Sequence, residues 1–537
     1  MKWQISPSFK NAILSPDDLL NQLLINREIK EEDREEFLNP KLENYSKDLL
    51  LAGIKVAVER IKQAISEDEQ IIIYGDYDAD GVCGTAILYL ALAKLKAKVL
   101  PYLPHREKEG YGLSEFGLDK ALEKGAKLVI TVDNGIVALD QAKYAKKIGI
   151  DLIITDHHLP REALPEALSI IHSTQMSGSA VAWCLSRELL GEKDSEEFLD
   201  LVAVGTICDL ISLTNLNRPL VQAGLKVLNR TEKLGFLALM RECALDLGEI
   251  SSSDVGRILG PRINAVGRLE DSIEALRLLC TKDPVKAISL ARHLCESNDL
   301  KKKYTLEAIT EAKGQVLQSG DLTGKKILLL HSPNWIPGVI GLVAGRIAEE
   351  YKVSTIIISE GETISKGSAR SVNGLNIVET LRICADLLVD IGGHPQAAGF
   401  SLETKKLEEF KKKLDEVMGG ILIEEKENGL KVEAILDLSK VDKNWVKTLE
   451  KLEPFGQGNP IPIFGSKKVK ISDCRTLSNG QHLKFKAEGV DAIAFSKGSL
   501  ESQVLERGVV DIAYFLEINK FNGSENLQLK VLDININ

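Results

Sequence analysis

Between residues 70 and 156, short apolar runs alternate with helical patterns, and this alternation restricts the fold more than any other feature. The runs IIIY (71–74), AKVLPYL (97–103), KLVITVD (127–133) and DLIITD (151–156) are largely apolar and rich in β-branched residues. Helical patterns lie between them, over 84–96, 114–124 and 137–148. Strands that read as continuous apolar runs are buried on both faces, and strands separated by helices form parallel sheets. The spacing therefore predicts an α/β unit. Three of its strands end in acid, in YGDYDAD, TVDNG and ITDHH. Ligands of open α/β sheets bind outside the carboxyl ends of the strands. Asp76, Asp78, Asp80, Asp133, Asp156, His157 and His158 thus fall along one edge of one sheet.

Asp76, Asp78 and Asp80 have no basic residue beside them in sequence. In an extended segment, positions i, i+2 and i+4 share one face. Three carboxylates on one face repel unless a cation neutralises them. A calcium loop of the D-x-D-x-D-G type is excluded, because its twelfth position must be a bidentate glutamate; counting from Asp76 gives Ile87. A solvated acidic turn would account for these three aspartates but not for three acid-tipped strands. A divalent-metal site accounts for all of them. Ligands from several strand ends suit a pair of ions about 3.5–4 Å apart that clamps a phosphate. His157 tilts the choice from a pure magnesium cage to manganese, which accepts both imidazole and carboxylate, with Mg2+ left open. Asp209 lies in the apolar stretch LVAVGTICDLISL, which reads as a buried helix. A buried carboxylate without a partner is costly, so Asp209 is more natural as a further ligand.

Beyond Gly178 the pattern is helical to about 320, and 283–318 reads as one long connecting helix. A second α/β unit follows: KKILLLH (325–331), a helix over 338–350, STIIIS (354–359), a helix near 376–390, GGHPQAAGF (392–400) and a helix over 404–418. From about 430, six short strands separated by turns predict a small β-barrel. Its aromatics Phe455, Phe464, Phe485 and Phe495 read as core. The expected units are an N-terminal helical segment (1–50), a catalytic α/β domain (51–225), a helical connector (226–320), the second α/β domain (321–425) and the barrel (426–537). The net charge of −10 argues against a broadly basic surface but leaves room for a local basic groove. The runs LKKKY (300–304) and FKKKL (410–414) read as solvated helix faces. Eight cysteines without a C-x-x-C pair fit reduced thiols and a cytoplasmic setting. No run approaches the roughly 18 apolar residues of a membrane span, and the first residues lack a secretory apolar region.

The motifs DYDADG, VDNG, DHH and the aspartate of VAVGTICDL resemble the four motifs of the DHH phosphoesterase superfamily, and GGHPQAAGF resembles the signature of its DHHA1 domain. With HREKEGYGLS (105–114), LGPRINAVGRL (259–269), GSARS (367–371) and LEPFGQGNPIPIF (452–464), the ordered set is similar to the RecJ family of bacterial single-strand-specific 5′→3′ DNA exonucleases. The terminal barrel resembles an OB-fold. The resemblance implies that Asp76, Asp78, Asp80, Asp133, His157 and Asp209 hold two metal ions, with Asp133 bridging. It implies that Asp156 orients the histidines and that His158 faces the scissile phosphate. Arg106, Tyr111, Arg268, Ser368 and Arg370 match a pocket for the 5′ end, with His394 beside it. The segment SIIHSTQMSGSAVAW is shorter than the family's usual loop after the DHH motif.

These residues imply metal-assisted hydrolysis of single-stranded DNA from a 5′ end, releasing mononucleotides, in recombination and repair. Single-strand-binding protein and a helicase are the implied partners, the chain is expected to be a monomer, and no membrane association is expected. Two other readings stay open. One is a DHH phosphodiesterase for oligoribonucleotides or cyclic dinucleotides, although such proteins usually lack the barrel and the GPRINAVGRL segment. The other is a non-catalytic replication scaffold, although every acidic motif is intact here.

Overall fold

A computed structural model of the chain describes residues 2–6, 13, 15–106, 109–322, 324–372, 374–420, 429–521 and 524–536. Two positions of the HREKEGYGLS motif, 107 and 108, lie outside the described residues.

The first sheet is fully parallel, in the order Val99–Tyr102, Gln70–Tyr74, Ala126–Val132, Asp151–Asp156, Ser169–His172. The fifth strand was not expected: SIIH is short and only alternately buried, a weak signal beside its continuous neighbours. Helix Ala79–Lys94 packs on this sheet beneath helices Gly178–Leu190 and Leu199–Cys208. It is apolar all round because it is covered on every side; only four of its 16 residues are not buried. The opposite face is covered by Glu115–Glu123 and Leu139–Lys147, which contribute Leu118, Ala121, Ala142 and Ala145.

The helix after the first strand starts at Ala79, five residues earlier than its apolar pattern predicts. Asp78 is the N-cap, its Oδ1 accepting from the N–H groups of Asp80 (2.9 Å) and Gly81 (3.1 Å). The expectation of an extended Asp76–Asp80 is therefore corrected. The chain turns at Asp78, and the three carboxylates converge through a strand end, a cap and a first helical turn.

Helix Pro284–Gln318 is the long connector, 35 residues, about 50 Å at 1.5 Å per residue. The second sheet is mixed, in the order Leu388–His394, Ala397–Glu403, Ile364–Arg370, Ser354–Ser359, Ile327–Ser332, with only the last pair parallel. The expected helix near 376–390 shrinks to Ile377–Arg382, and residues from Leu388 form an edge strand of a hairpin. Val389 and Ile391, β-branched and followed by two glycines, favour that strand over a continued helix.

The barrel closes as Phe464–Leu477, His482–Ala487, Val490–Ala494, Ser524–Asn535 and Val509–Phe521, the last pairing back onto the first. The N-terminal segment belongs to this body. Trp3–Ile5 pairs with Leu430–Val432, and helix Pro16–Asn26 adds Leu19, Leu23 and Leu24 to the barrel core. All eight cysteines are free thiols. Among the described residues no helix is long and apolar enough to cross a membrane.

Candidate active site

The carboxyl ends of the first sheet gather the predicted acids. One atom each from Asp76, Asp78 and Asp133 lie within 4.8 Å of one another, and so do atoms from Asp80, His157 and Asp209, and from Asp133, His157 and His158. Asp76, Asp80 and Asp133 are at most 3% exposed. Burial first, and then the neighbouring carboxylates, push Asp76, Asp78 and Asp133 above the usual carboxylate range and Asp209 to about 9. Asp76 Oδ1, Asp133 Oδ1 and His157 Nε2 are buried without a hydrogen-bond partner, although His157 Nε2 stands 3.0 Å from Asp133 Oδ1. Buried polar atoms are normally partnered. Three orphans converging in one acidic cluster are what a cation site leaves when only protein atoms are counted. Burial also holds the His157 imidazole below its ordinary pKa, in the neutral form that ligates metals. The donor set fits divalent ions.

Local structure explains each placement. Asp133 sits at φ +63°, a left-handed conformation that Asp and Asn tolerate better than other side chains. Asp80 accepts from the N–H groups of Gly178 (2.6 Å) and Ser179 (3.0 Å), so the start of helix Gly178–Leu190 holds its charge. Glycine at 178 also makes room for Asp133, since a Cβ there would stand 2.6 Å from Asp133 Cβ. Asp209 caps the end of Leu199–Cys208 with its side chain 27% exposed, so the expected burial within a helix is corrected to a helix end open to the cluster.

Asp156 is not aimed at the cluster. Its Oδ1 accepts from the N–H groups of His157 (2.7 Å) and His158 (3.1 Å) and lies 2.8 Å from His158 Nδ1; its Oδ2 accepts from Ile136 N (2.9 Å). Burial would raise this carboxyl, but its bond to His158, the histidine charge and the N–H groups outweigh burial and hold it low. The same pair acts on His158: burial lowers its pKa, and Asp156, joined by the charges of Asp78 and Asp80, more than reverses that. Tyr111 Oη donates to Asp133 O and lies 3.0 Å from His158 Nδ1.

A cavity of about 310 Å³ is lined by Asp76, Asp133 and His158 of the cluster together with Arg106, Asn264 and Arg268. The Arg106 guanidinium stacks over Tyr77, 5.0 Å from the ring centre. Arg268 Nη1 donates to Gly338 O (3.2 Å), which joins the connector to the second α/β unit. Just beyond, Gly341 lies against Ser368 and Arg370. Among the described residues no carboxylate pairs with Arg106, Arg268 or Arg370. Burial and, secondarily, the charge of Arg106 depress both Arg268, to about 10, and Arg370. His394 ends the exposed edge strand and does not line the cavity.

Three contributors went unread in the sequence. Asn264 Oδ1 accepts from Ala79 N (2.7 Å) and pins the aspartate turn; it lies within the GPRINAVGR motif. Tyr77 is the stacking partner inside DYDAD. Lys301, in the run read as a solvated face, is 7% exposed and donates to Pro261 O (3.0 Å) and Asn298 Oδ1 (2.8 Å). On the barrel, Phe464 and Phe485 are buried as expected, but Phe495 is 47% exposed, with Lys530 Nζ 5.7 Å from its ring centre. The strand register lines up Arg475, Lys484, Ile493, Lys530 and Phe515 across the barrel beside it.

Three family models match the chain: the DHH family N-terminal domain over 70–206, the DHHA1 domain over 324–420 and the RecJ OB domain over 432–533. The single-stranded-DNA-specific exonuclease RecJ of Bacillus subtilis is 35% identical over 99% of this chain and 70% of its own length. The chain belongs to the RecJ family. RecJ of Thermus thermophilus, of the same description, is 34% identical over 93% of this chain and 73% of its own length. A crystal structure of RecJ from Thermus thermophilus in complex with Mn2+ superposes with a TM-score of 0.83 at 29% identity, covering 99% of this chain and 79% of that one. A manganese-bound exonuclease RecJ superposes with a TM-score of 0.63 at 34% identity, covering 70% of this chain and 97% of that one. The fold expected from the sequence, with its parallel DHH unit, DHHA1 unit and OB-type barrel, is the fold of this family.

Proposed function

We propose that the chain is a divalent-metal-dependent exonuclease that hydrolyses single-stranded DNA from its 5′ end and releases mononucleotides. The observation that carries this is the meeting of two unbalanced clusters: buried carboxylates with orphaned oxygens share one cavity with arginines that, among the described residues, have no carboxylate partner. The 5′ end of a strand satisfies both, with its scissile phosphate at the metal pair and its terminal 5′ phosphate on the arginine N–H groups.

Asp76, Asp78, Asp80, Asp133, His157 and Asp209 would hold two Mn2+ or Mg2+ ions. When bound, such a pair supplies Lewis acidity that activates water and offsets charge growing on the phosphoryl oxygens. The chain's own residues do the rest. Asp156 fixes the His158 ring and favours its protonated form, so the ring can donate a hydrogen bond to the phosphoryl group. Tyr111 braces that ring against the Asp133 carbonyl. Arg106, Arg268, Ser368 and Arg370 bind the 5′ phosphate between the domains at 51–225 and 321–425, with His394 at the outer rim. The basic and aromatic row on the barrel, 426–537, receives the strand as it leaves the groove, stacking a base on Phe495.

The test is digestion of end-labelled single-stranded DNA with Mn2+, comparing the parent with Asp133→Asn. Mononucleotides released from the 5′ end by the parent alone support the proposal. Equal degradation of blunt duplex, or release from the 3′ end, contradicts it.

A further inference from the structure

The motif LEPFGQGNP has no part in the chemistry above, yet it is among the most thoroughly tied segments of the chain. Residues 452–460 form a strap that precedes the first barrel strand. Asn459, 1% exposed, closes the strap on itself by donating from Nδ2 to Leu452 O (2.8 Å) and Pro454 O (2.9 Å). Arg27 of the N-terminal helix donates to Asn459 Oδ1 (2.9 Å) and Pro460 O (2.9 Å). On the catalytic side, Gln457 O accepts from Leu213 N (2.7 Å) and Phe455 O from Ser252 Oγ (2.6 Å).

Arg218 sits at the centre of this junction. It belongs to helix Asn217–Leu228 of the catalytic body and is 2% exposed. Its Nε donates to Phe37 O (2.6 Å), Nη1 to Leu452 O (3.0 Å) and Nη2 to Glu453 O (2.8 Å), and its guanidinium lies 4.0 Å from the Phe37 ring centre. Among the described residues no carboxylate pairs with it. A buried cation neutralised only by carbonyl dipoles is an expensive way to hold two bodies together, and apolar packing would be cheaper. What the planar guanidinium adds is direction: three donors in a fixed fork meet three carbonyls from two segments. An ion pair between the bodies, Lys520 to Glu249, is exposed and of little orienting force.

We propose that Arg218 is a positioning residue that clasps strap 452–460 and holds the barrel's basic row in line with the catalytic cavity. A strand long enough to touch both sites then binds as to two linked sites, and loses that advantage when the barrel is free to turn. A strand confined to the cavity is indifferent to the clasp. The proposal rests on the exonuclease reading.

The experiment measures kcat and KM with Mn2+ on a 5′-phosphorylated trinucleotide and on a single strand of about 30 nucleotides, longer than one OB-fold's footprint. The expected result for Arg218→Met, which keeps the stem and removes the donors, is a KM raised about tenfold or more on the long strand. Its kcat and both constants on the trinucleotide stay at parental values. Arg218→Lys, with the charge but not the fork, fails to restore the long-strand KM. Ser252→Ala, which removes one tie from the opposite side, shows a smaller shift of the same kind and serves if Arg218→Met does not fold. Equal losses on both substrates, or an unchanged long-strand KM in both Arg218→Met and Ser252→Ala, overturn the clasp alone. A parent that cleaves neither substrate overturns the exonuclease reading with it.

Discussion

Neutralising Asp133 should stabilise the metal-free protein while abolishing its function. Asp133 shares a cluster with Asp76 and Asp78 whose ligand atoms lie within 4.8 Å, and its Oδ1 has no hydrogen bond to lose. At that separation and an effective dielectric constant of about 20, two ionised carboxylates repel by roughly 3.5 kcal/mol. The cluster already relieves part of this by protonation, since burial and repulsion hold these carboxyls above their usual range. The remaining gain for Asp133→Asn is about 1–3 kcal/mol. Asparagine is the right probe because it accepts the φ of +63° that alanine would resist. At about 2–4 °C per kcal/mol for a unit of 150–250 residues, the catalytic transition should rise several degrees in EDTA. The parent should instead be stabilised by Mn2+, by about 2.7 kcal/mol when the free ion is 100 times its dissociation constant. Thermal unfolding of both proteins in EDTA and in MnCl2 reads the whole prediction: a higher midpoint for the variant without metal, and a manganese shift in the parent only. A variant less stable than the parent in EDTA, or one that keeps the full manganese shift, would refute the claim that these carboxylates are mutually strained and held together by a cation.

Asp156→Asn should lower kcat about 10²–10⁴-fold while leaving the manganese-dependent rise in midpoint intact, because Asp156 orients His158 and takes no place in the acidic cluster; loss of the manganese shift would show that it is a ligand. Gly205→Ala should abolish activity, since a Cβ there would stand 2.8 Å from Ser179 Cβ and nearer still to Asp80 Oδ1, whereas Gly345→Ala, facing open space, should stabilise its helix by roughly 0.5–1 kcal/mol. Phe495→Ala should leave the melting midpoint unchanged and weaken binding of a long single strand by about 1–3 kcal/mol, the worth of one stacked base, as measured by fluorescence anisotropy.

What could be read from the sequence depended on whether an interaction is local. The acid-tipped strands were legible because side chains at strand ends share one edge whatever the rest of the chain does. The cap at Asp78 was not, since its pattern first suggested an extended run; the deciding N–H acceptances from Asp80 and Gly81 compete with that run only once a helix follows. Lys301 and Phe495 fail for a common reason. A run of lysines on a 35-residue helix looks uniformly solvated, and only the helix containing Pro261, arriving from 40 residues upstream, covers the first of the three. A phenylalanine beyond a barrel strand looks like core until the register shows that Ala492 and Ala494 point inward and the chain has left the strand before Phe495. Arg218 is the extreme case. Nothing within several residues marks it, because its partners lie 181, 234 and 235 positions away and are backbone carbonyls, which carry no side-chain signal at all. Chemistry written in carboxylates and histidines is therefore visible in this chain before folding. The alignment of the bodies that deliver a strand to that chemistry is written in main-chain acceptors, and becomes visible only after it.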